Sequence, residues 1–215
     1  IFKTEIENTS FFINSSDRVN SKKIFVNKKY PQFNYLKTSM EIAAINNESI
    51  NNFYDIGAHY GNISIPADIL YDFNKIIAIE PNPESFKILD LNIRLNNLDH
   101  KFELHNKLVG GENKTVNFYK FKNNTAASLI SNDDELLKKY IKVNNLIIEN
   151  SSLLGQLKFD EIVGKVSRDS LIWLFCQGTE IDIINSSQNI ASKPYIAFHY
   201  SPLINKNNTN DIPML

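Results

Sequence analysis

The chain has 215 residues, 42% of them hydrophobic, enough for one substantial core and an argument for one globular domain. A formal net charge of −1 gives no electrostatic case for nucleic acid, and no apolar run is long enough to cross a bilayer, so neither partner is expected. A single cysteine, Cys176, excludes an intrachain disulfide or a cysteine metal cluster and suits a reducing cytoplasm.

Residues 1–35 mix polar residues with Phe11, Phe12, Phe25 and Phe33 without a sustained period, and an accessory arm is expected there. Within it, Lys22, Lys23, Lys28 and Lys29 read as a solvated face rather than an anion site. Leu36, Met40, Ala43 and Ala44 fall at helical spacing and predict a helix over 36–47 that packs against a sheet edge. NNFYDIGAHYGN, residues 51–62, then reads as a buried strand ending in an acidic, glycine-punctuated turn. Gly57 and Gly61 let the backbone turn tightly and approach a ligand, and Asn62 is placed to cap a helix over 62–72. The alternative is a plain loop between strand and helix.

NKIIAIEPNP, residues 74–83, is a second apolar run that stops on Glu80 and breaks at Pro81. Two such strands with a helix between them form a βαβ unit. Their carboxyl ends put Asp55 and Glu80 at one mouth of the sheet, where open α/β folds bind ligands. Acids at that place suit a cationic or donor-rich ligand, whereas a phosphate loop wants bare N–H groups. Glu80 has a second reading as a charge stabilising the N-terminus of the next helix.

A helix is expected from Pro83 to Asn96, then a third strand over 102–109 closed by Gly110-Gly111. The period changes to two over 115–121, and AASLI follows, so an antiparallel addition is expected. Residues 132–142 have helical composition, and 153–163 predict a short strand and helix. LIWLFC, 171–176, reads as the fourth core strand, Gln177-Gly178 turns into a helix over 179–190, and 194–200 forms the next strand. The fold class is α/β, a mostly parallel sheet with helices on both faces.

The segments FYDIGAHYGNISIPA, IAIEPNPESFKILDLNIRLNNL, LIWLFCQGTE and KPYIAFHYSP, in that order, resemble the FkbM-type methyltransferases that use S-adenosylmethionine. The resemblance covers most of residues 50–203. It implies a Rossmann-like methyltransferase domain over 46–203, after an accessory segment 1–45 and before a tail 204–215. It also implies S-adenosylmethionine as cofactor and methyl transfer to a hydroxyl of a small molecule or sugar, with no metal. Glu80 would then accept from the ribose hydroxyls, with Pro81 beside it. Asp55, Gly57 and Gly61 match the family's first motif, Asp55 facing the cofactor's amino acid end directly or through water, and Ala58 and Asn62 of the same turn are cofactor-binding candidates.

His59 stands where the family usually has asparagine; it is either a donor to the cofactor carboxylate or a solvent-facing loop histidine. Asn106 is a candidate for the adenine edge or a turn asparagine. Phe175 and His199 stand where the family has acidic residues. Either Glu180 or His199 then serves as base, the acceptor needs none, or the protein is an impaired, cofactor-binding scaffold. A Cys176–His199 dyad is set aside, because strand alternation turns Cys176 from the face Phe175 occupies. A nicotinamide enzyme is disfavoured, since residues 57–61 lack the G-x-G-x-x-G spacing.

Overall fold

The computed structural model describes residues 1–46, 49–201 and 203–204, so the expected tail falls almost wholly outside the described residues. The N-terminal arm is built rather than irregular. β1 (Phe2–Ile6) and β2 (Thr9–Ile13) pair as an antiparallel hairpin, followed by α1 (Asn20–Phe25) and α2 (Phe33–Ile45). Thr9, Phe11 and Ile13 alternate inward, a period of two too short to stand out in the sequence.

The hairpin is fastened to the rest by two asparagines one helical turn apart. The Asn92 side chain accepts from Phe12 N at 2.6 Å and donates to Phe12 O at 3.0 Å. Asn96 does the same for Ser10, at 2.9 and 2.8 Å. These carboxamides occupy the backbone groups that an edge strand would otherwise leave open. Ile6, Phe11 and Ile13 pack on Leu89 and Ile93 of the same helix.

The central sheet comes from β3 (Asn52–Ile56), α3 (Ser64–Tyr71), β4 (Lys75–Ile79), α4 (Pro83–Leu95) and β5 (Phe102–His105), two consecutive βαβ units. A second sheet is formed by β6 (Leu108–Gly110), β7 (Lys114–Phe121), β8 (Leu129–Ile130) and β9 (Ile148–Lys158), with α5 (Asp134–Asn144) between the last two strands. The chain returns through α6 (Phe159–Val163) to β10 (Ser170–Leu174), α7 (Glu180–Ser186) and β11 (Tyr195–Phe198).

The central strands run β11-β10-β3-β4-β5, all parallel, and the second sheet runs β6-β9-β7-β8 with β7 antiparallel to both neighbours. On one face of the central sheet Phe53, Ile76, Leu171 and Trp173 meet Leu36 and Ala43 of α2. On the other, Tyr54, Ile56, Ile77, Ile79, Ile172 and Leu174 meet Phe159 and Ile183. Burial on both faces is why these strands read as nearly continuous apolar runs.

Several expected boundaries move. α2 starts at Phe33, after Gln32 in a left-handed conformation, φ 62°. Asn62 does not cap α3, whose N-cap is Ile63 without a side-chain bond. The strand expected over 102–109 is two: β5 ends at His105, Asn106-Lys107 leave the sheet, and β6 joins the other one. Asn106 drives the break by donating to Glu80 O at 2.7 Å. The helix over 179–190 is shorter, ending at Ser186 before a turn of 3-10 helix, Asn189–Ser192. β10 and β11 stop at Leu174 and Phe198, which leaves Phe175, Cys176 and His199 just past the strand ends.

Candidate functional site

The carboxyl ends of β3, β4 and β10 surround one hollow, containing about 860 Å³ of space free of atoms when its open mouth is counted. Asp55, Gly57, Ala58, His59, Asn62, Glu80 and Pro81 all line it. The two acids therefore share a cavity. Gly57 has φ +92°, and a Cβ there would stand 2.2 Å from the Phe175 carbonyl oxygen. Gly61 has φ +81°, and a Cβ would meet the Ile65 side chain at 2.7 Å. Both glycines thus answer first to the chain passing beside them.

Glu80 is held by the backbone: Oε2 accepts from His59 N at 2.9 Å and Oε1 from Asn82 N at 2.8 Å. A carboxylate offers about four lone-pair sites, so both oxygens keep capacity for further donors. Burial pushes its pKa up to about 7; the two amides oppose that shift, and the nearby Asp55 charge adds to it. Burial likewise raises Asp55 to about 7, with Ser64 at the start of α3 offsetting it only in part. Asp55 Oδ2 is buried with no hydrogen-bond partner among the described residues.

His59 is neither solvent-facing nor free. It is buried, with φ 53°, and its ring stacks on Tyr60 at 3.6 Å between centroids. Its Nε2 lies 2.7 Å from Thr125 Oγ1, which also meets Tyr60 Oη at 2.8 Å and donates to Asp17 Oδ2 at 3.0 Å. His59 Nδ1 lies 3.4 Å from Asn62 Oδ1, so the ring is held at both nitrogens. Burial lowers the His59 pKa to about 4, so the ring is neutral near pH 7. Asp17 Oδ1 accepts from Val19 N and Asn20 N, tying the arm into the same cluster. The imidazole thereby fixes a backbone amide on Glu80, a role that sequence spacing does not reveal.

Asn106 and Glu180 stand apart from the hollow. Asn106 spends its amide on the Glu80 and Pro81 carbonyls. Glu180 is fully buried, its carboxylate accepting from Cys176 N and Gly178 N at 2.8 Å each, and it ties the turn before α7. Burial and the Glu180 charge hold the Cys176 thiol well above its usual pKa. His199 lies at the end of β11 with its ring on Phe175, 4.6 Å between centroids, and burial lowers its pKa. Asn20 and Gln32 of the arm, Lys107, and Thr125 also line the hollow, and none was expected from the sequence. Only Asn20 and Gln32 had a usable signal, as carboxamides close to the helix starts of the arm.

S-adenosylmethionine fits these residues. Glu80, oriented by two amides and with lone pairs to spare, suits two hydroxyls; the orphaned Asp55 oxygen suits a donor on a cation. A parallel sheet with acids at the ends of adjacent strands over one hollow defines the class, the Rossmann-like fold of the S-adenosylmethionine-dependent methyltransferases. Within it the chain belongs to the TRM5/TYW2 methyltransferase domain family, whose model matches residues 18–159.

No curated protein matches the chain. Among solved structures it is similar to methyltransferase FkbM from Methylobacillus flagellatus KT, at 16% identity over 73% of this chain and 36% of that one, TM-score 0.49. It is also similar to Pyrococcus horikoshii TYW2 in complex with MeSAdo, at 22% identity over 45% of this chain and 29% of that one, TM-score 0.27. A third is aTrm5 in complex with tRNALeu, at 16% identity over 65% and 44%, TM-score 0.31. The chain thus spans little more than a third of the FkbM enzyme's length, and at such identity the likeness is one of fold.

The expectation of a small-molecule or sugar acceptor with no nucleic acid is corrected here. Trm5 gives its name to the family this chain belongs to, and the solved aTrm5 is bound to tRNALeu. A net charge is a sum over the whole chain and does not exclude a local basic face. Lys22 and Lys23 on α1 and Lys28 and Lys29 after it are exposed together, balanced by acids elsewhere. No helix among the described residues is long and apolar enough to cross a membrane.

Proposed function

We propose that the protein is an active methyltransferase that moves a methyl group from S-adenosylmethionine to a base of an RNA. Membership of the TRM5/TYW2 family supports the RNA acceptor. The observation that carries the methyl-donor part is the pair of buried acids in one hollow, Asp55 with an unpartnered oxygen and Glu80 gripped by two amides. When bound, the cofactor supplies a methyl on a sulfonium, open to displacement by a nucleophile. Glu80 and Asp55 hold and orient it, Glu80 at hydroxyls and Asp55 at the cationic end, and orientation is the larger part of such catalysis.

His199 is the residue placed to take the acceptor's proton. Its ring lines a cleft that adjoins the hollow at Gln32, Trp173 and Phe175, and its lowered pKa keeps it neutral and able to accept near pH 7. Glu180, engaged with two amides away from the hollow, is the poorer candidate.

Calorimetry with S-adenosylhomocysteine tests the cofactor site: wild type binds, and Glu80→Ala weakens binding about tenfold to a hundredfold, the worth of a charge-assisted pair of hydrogen bonds. A labelled-methyl assay then offers total RNA beside a glycan extract. Label is expected in RNA, reduced about 10² to 10⁴-fold by His199→Ala. Label in glycan, or in neither, overturns the acceptor assignment.

A further inference from the structure

Where a sheet of this chain ends in an edge, that edge is short or closed. β5 and β11 have four residues each and β8 has two, and Asn92 and Asn96 occupy the backbone groups of β2. β9 is different. It runs for eleven residues, Ile148–Lys158, pairs with β7 along one side, and on the other side meets β6 at 156–158. Residues 149–153 and Gly155 are exposed, and no strand among the described residues pairs with that side of 150–155.

The ladder fixes which backbone groups face outward. Ser131 N donates to Asn117 O at 3.2 Å, so the polar groups of Asn117 face β8. Asn117 stands opposite Leu153, which makes that pair one without mutual hydrogen bonds and turns the Leu153 N–H and C=O away from β7. Ser151 and Gly155, two residues to either side, point the same way. An edge that presents such groups is a template for another strand, and 150–155, NSSLLG, carries no charge or proline to discourage one. Leu153 itself is 69% exposed, the most exposed leucine among the described residues.

Both ends of the free stretch are marked. At one, the ladder skips Glu149, which falls between Ile148 opposite Phe121 and Asn150 opposite Lys120, and a bulge bends the strand there. At the other, β6 takes over the edge at Gln156. The outward residues Ser151, Leu153 and Gly155 are therefore symmetric about Leu153, and the edge is its own complement. A second copy laid antiparallel sets Leu153 against Leu153 and Ser151 against Gly155, so that each outward N–H and C=O finds a partner. Past Ser151 the incoming strand has its own bulge at Glu149, which turns it clear of β6. A strand from a different protein would meet the same backbone groups, but it has no reason to bend where β6 begins.

We propose that residues 151–155 are a self-association edge, through which two copies of the chain pair β9 with β9 about a twofold axis at Leu153 and join their four-stranded sheets into one. The pairing also covers Leu153 with its counterpart, where a lone chain leaves it in water. The inference does not rest on the methyl-transfer reading.

Sedimentation velocity from low to high micromolar concentration should show a reversible shift from 24.7 kDa to twice that mass. Leu153→Lys sets like charges opposite each other in both copies and should raise the dimer Kd at least about tenfold. That side chain is exposed, so the variant folds, which circular dichroism checks. Leu153→Cys gives a second readout: thiols at the axis come within disulfide reach, with Cα atoms roughly 5.5 Å apart, and mild oxidation should link two chains. Ser151→Cys, also exposed, should not link, since it faces Gly155 of the other copy. Wild type, with Cys176 alone, should not link either.

A monomer at every concentration overturns the proposal and leaves the edge to a strand of some other chain. So does a dimer that Leu153→Lys leaves unweakened, or a link that forms as readily through Ser151→Cys as through Leu153→Cys, because the copies then meet on another surface.

Discussion

Replacing Asp55 with asparagine should stabilise the ligand-free protein above neutral pH while weakening its hold on the cofactor. Asp55 has a folded-state pKa of about 7 against an ordinary 3.8, because burial penalises its charge. The fold therefore holds that proton more tightly than the unfolded chain does. The stabilisation so gained is fully present below pH 3.8 and is lost as pH rises through about 7. At roughly 1.4 kcal/mol per pH unit, the gap is worth about 4 kcal/mol as a ceiling. Asparagine keeps the shape without the charge.

Urea denaturation of both proteins across this pH range measures the effect. The difference between them must be used, because His59 works the other way. Its pKa is lowered from 6.5 to about 4, so its contribution is present above 6.5 and is lost as pH falls through about 4. The variant's advantage should be near zero in acid and grow to about 4 kcal/mol at most on the alkaline side. An advantage that stays constant with pH, or reverses, refutes the claim that Asp55 is a charge buried in wait for a cationic partner.

Two further substitutions probe the scaffold of the site. Gly57→Ala forces a Cβ to 2.2 Å from the Phe175 carbonyl at φ +92°, so thermal unfolding should show a loss of more than about 2 kcal/mol; a near-neutral result would mean that the Phe175 backbone does not confine Gly57. Thr125→Val leaves His59, Tyr60 and Asp17 without their shared hydroxyl and should cost about 1 to 3 kcal/mol. It should also weaken S-adenosylhomocysteine binding, by loosening the His59 amide on Glu80, and Thr125→Ser should restore that binding; equal affinity in all three proteins would separate the cluster from the cofactor grip.

The middle of the parallel core was legible because β3, β4 and β10 are buried on both faces, and β3 and β4 are followed at once by a residue that breaks the strand. Phe53, Tyr54 and Ile56, then Ile76 to Ile79, are apolar, and Gly57 or Glu80 with Pro81 marks the stop. The arm was not legible for the converse reason. Its strands have five residues each, and what makes them a hairpin on α4 is the reach of Asn92 and Asn96 across 80 or more residues of sequence to Phe12 and Ser10. Asparagine at those helix positions reads as a solvent-facing side chain until the backbone that it serves is in place. The same holds for Asn106, which reads as a turn residue or an adenine contact and is instead a clamp on the Glu80 carbonyl.

The site divides along the same line. Asp55 and Glu80 could be paired in advance, because parallel strands with helical crossovers must deliver their carboxyl ends to one edge. Thr125 and Asp17 could not, since they arrive from a 3-10 turn beside the second sheet and from the arm, and no spacing connects them to His59. Their meeting turns a residue that departs from the expected asparagine into a fixed part of the Glu80 grip. It also joins the cofactor loop to Asn20 of the arm, which lines the same hollow.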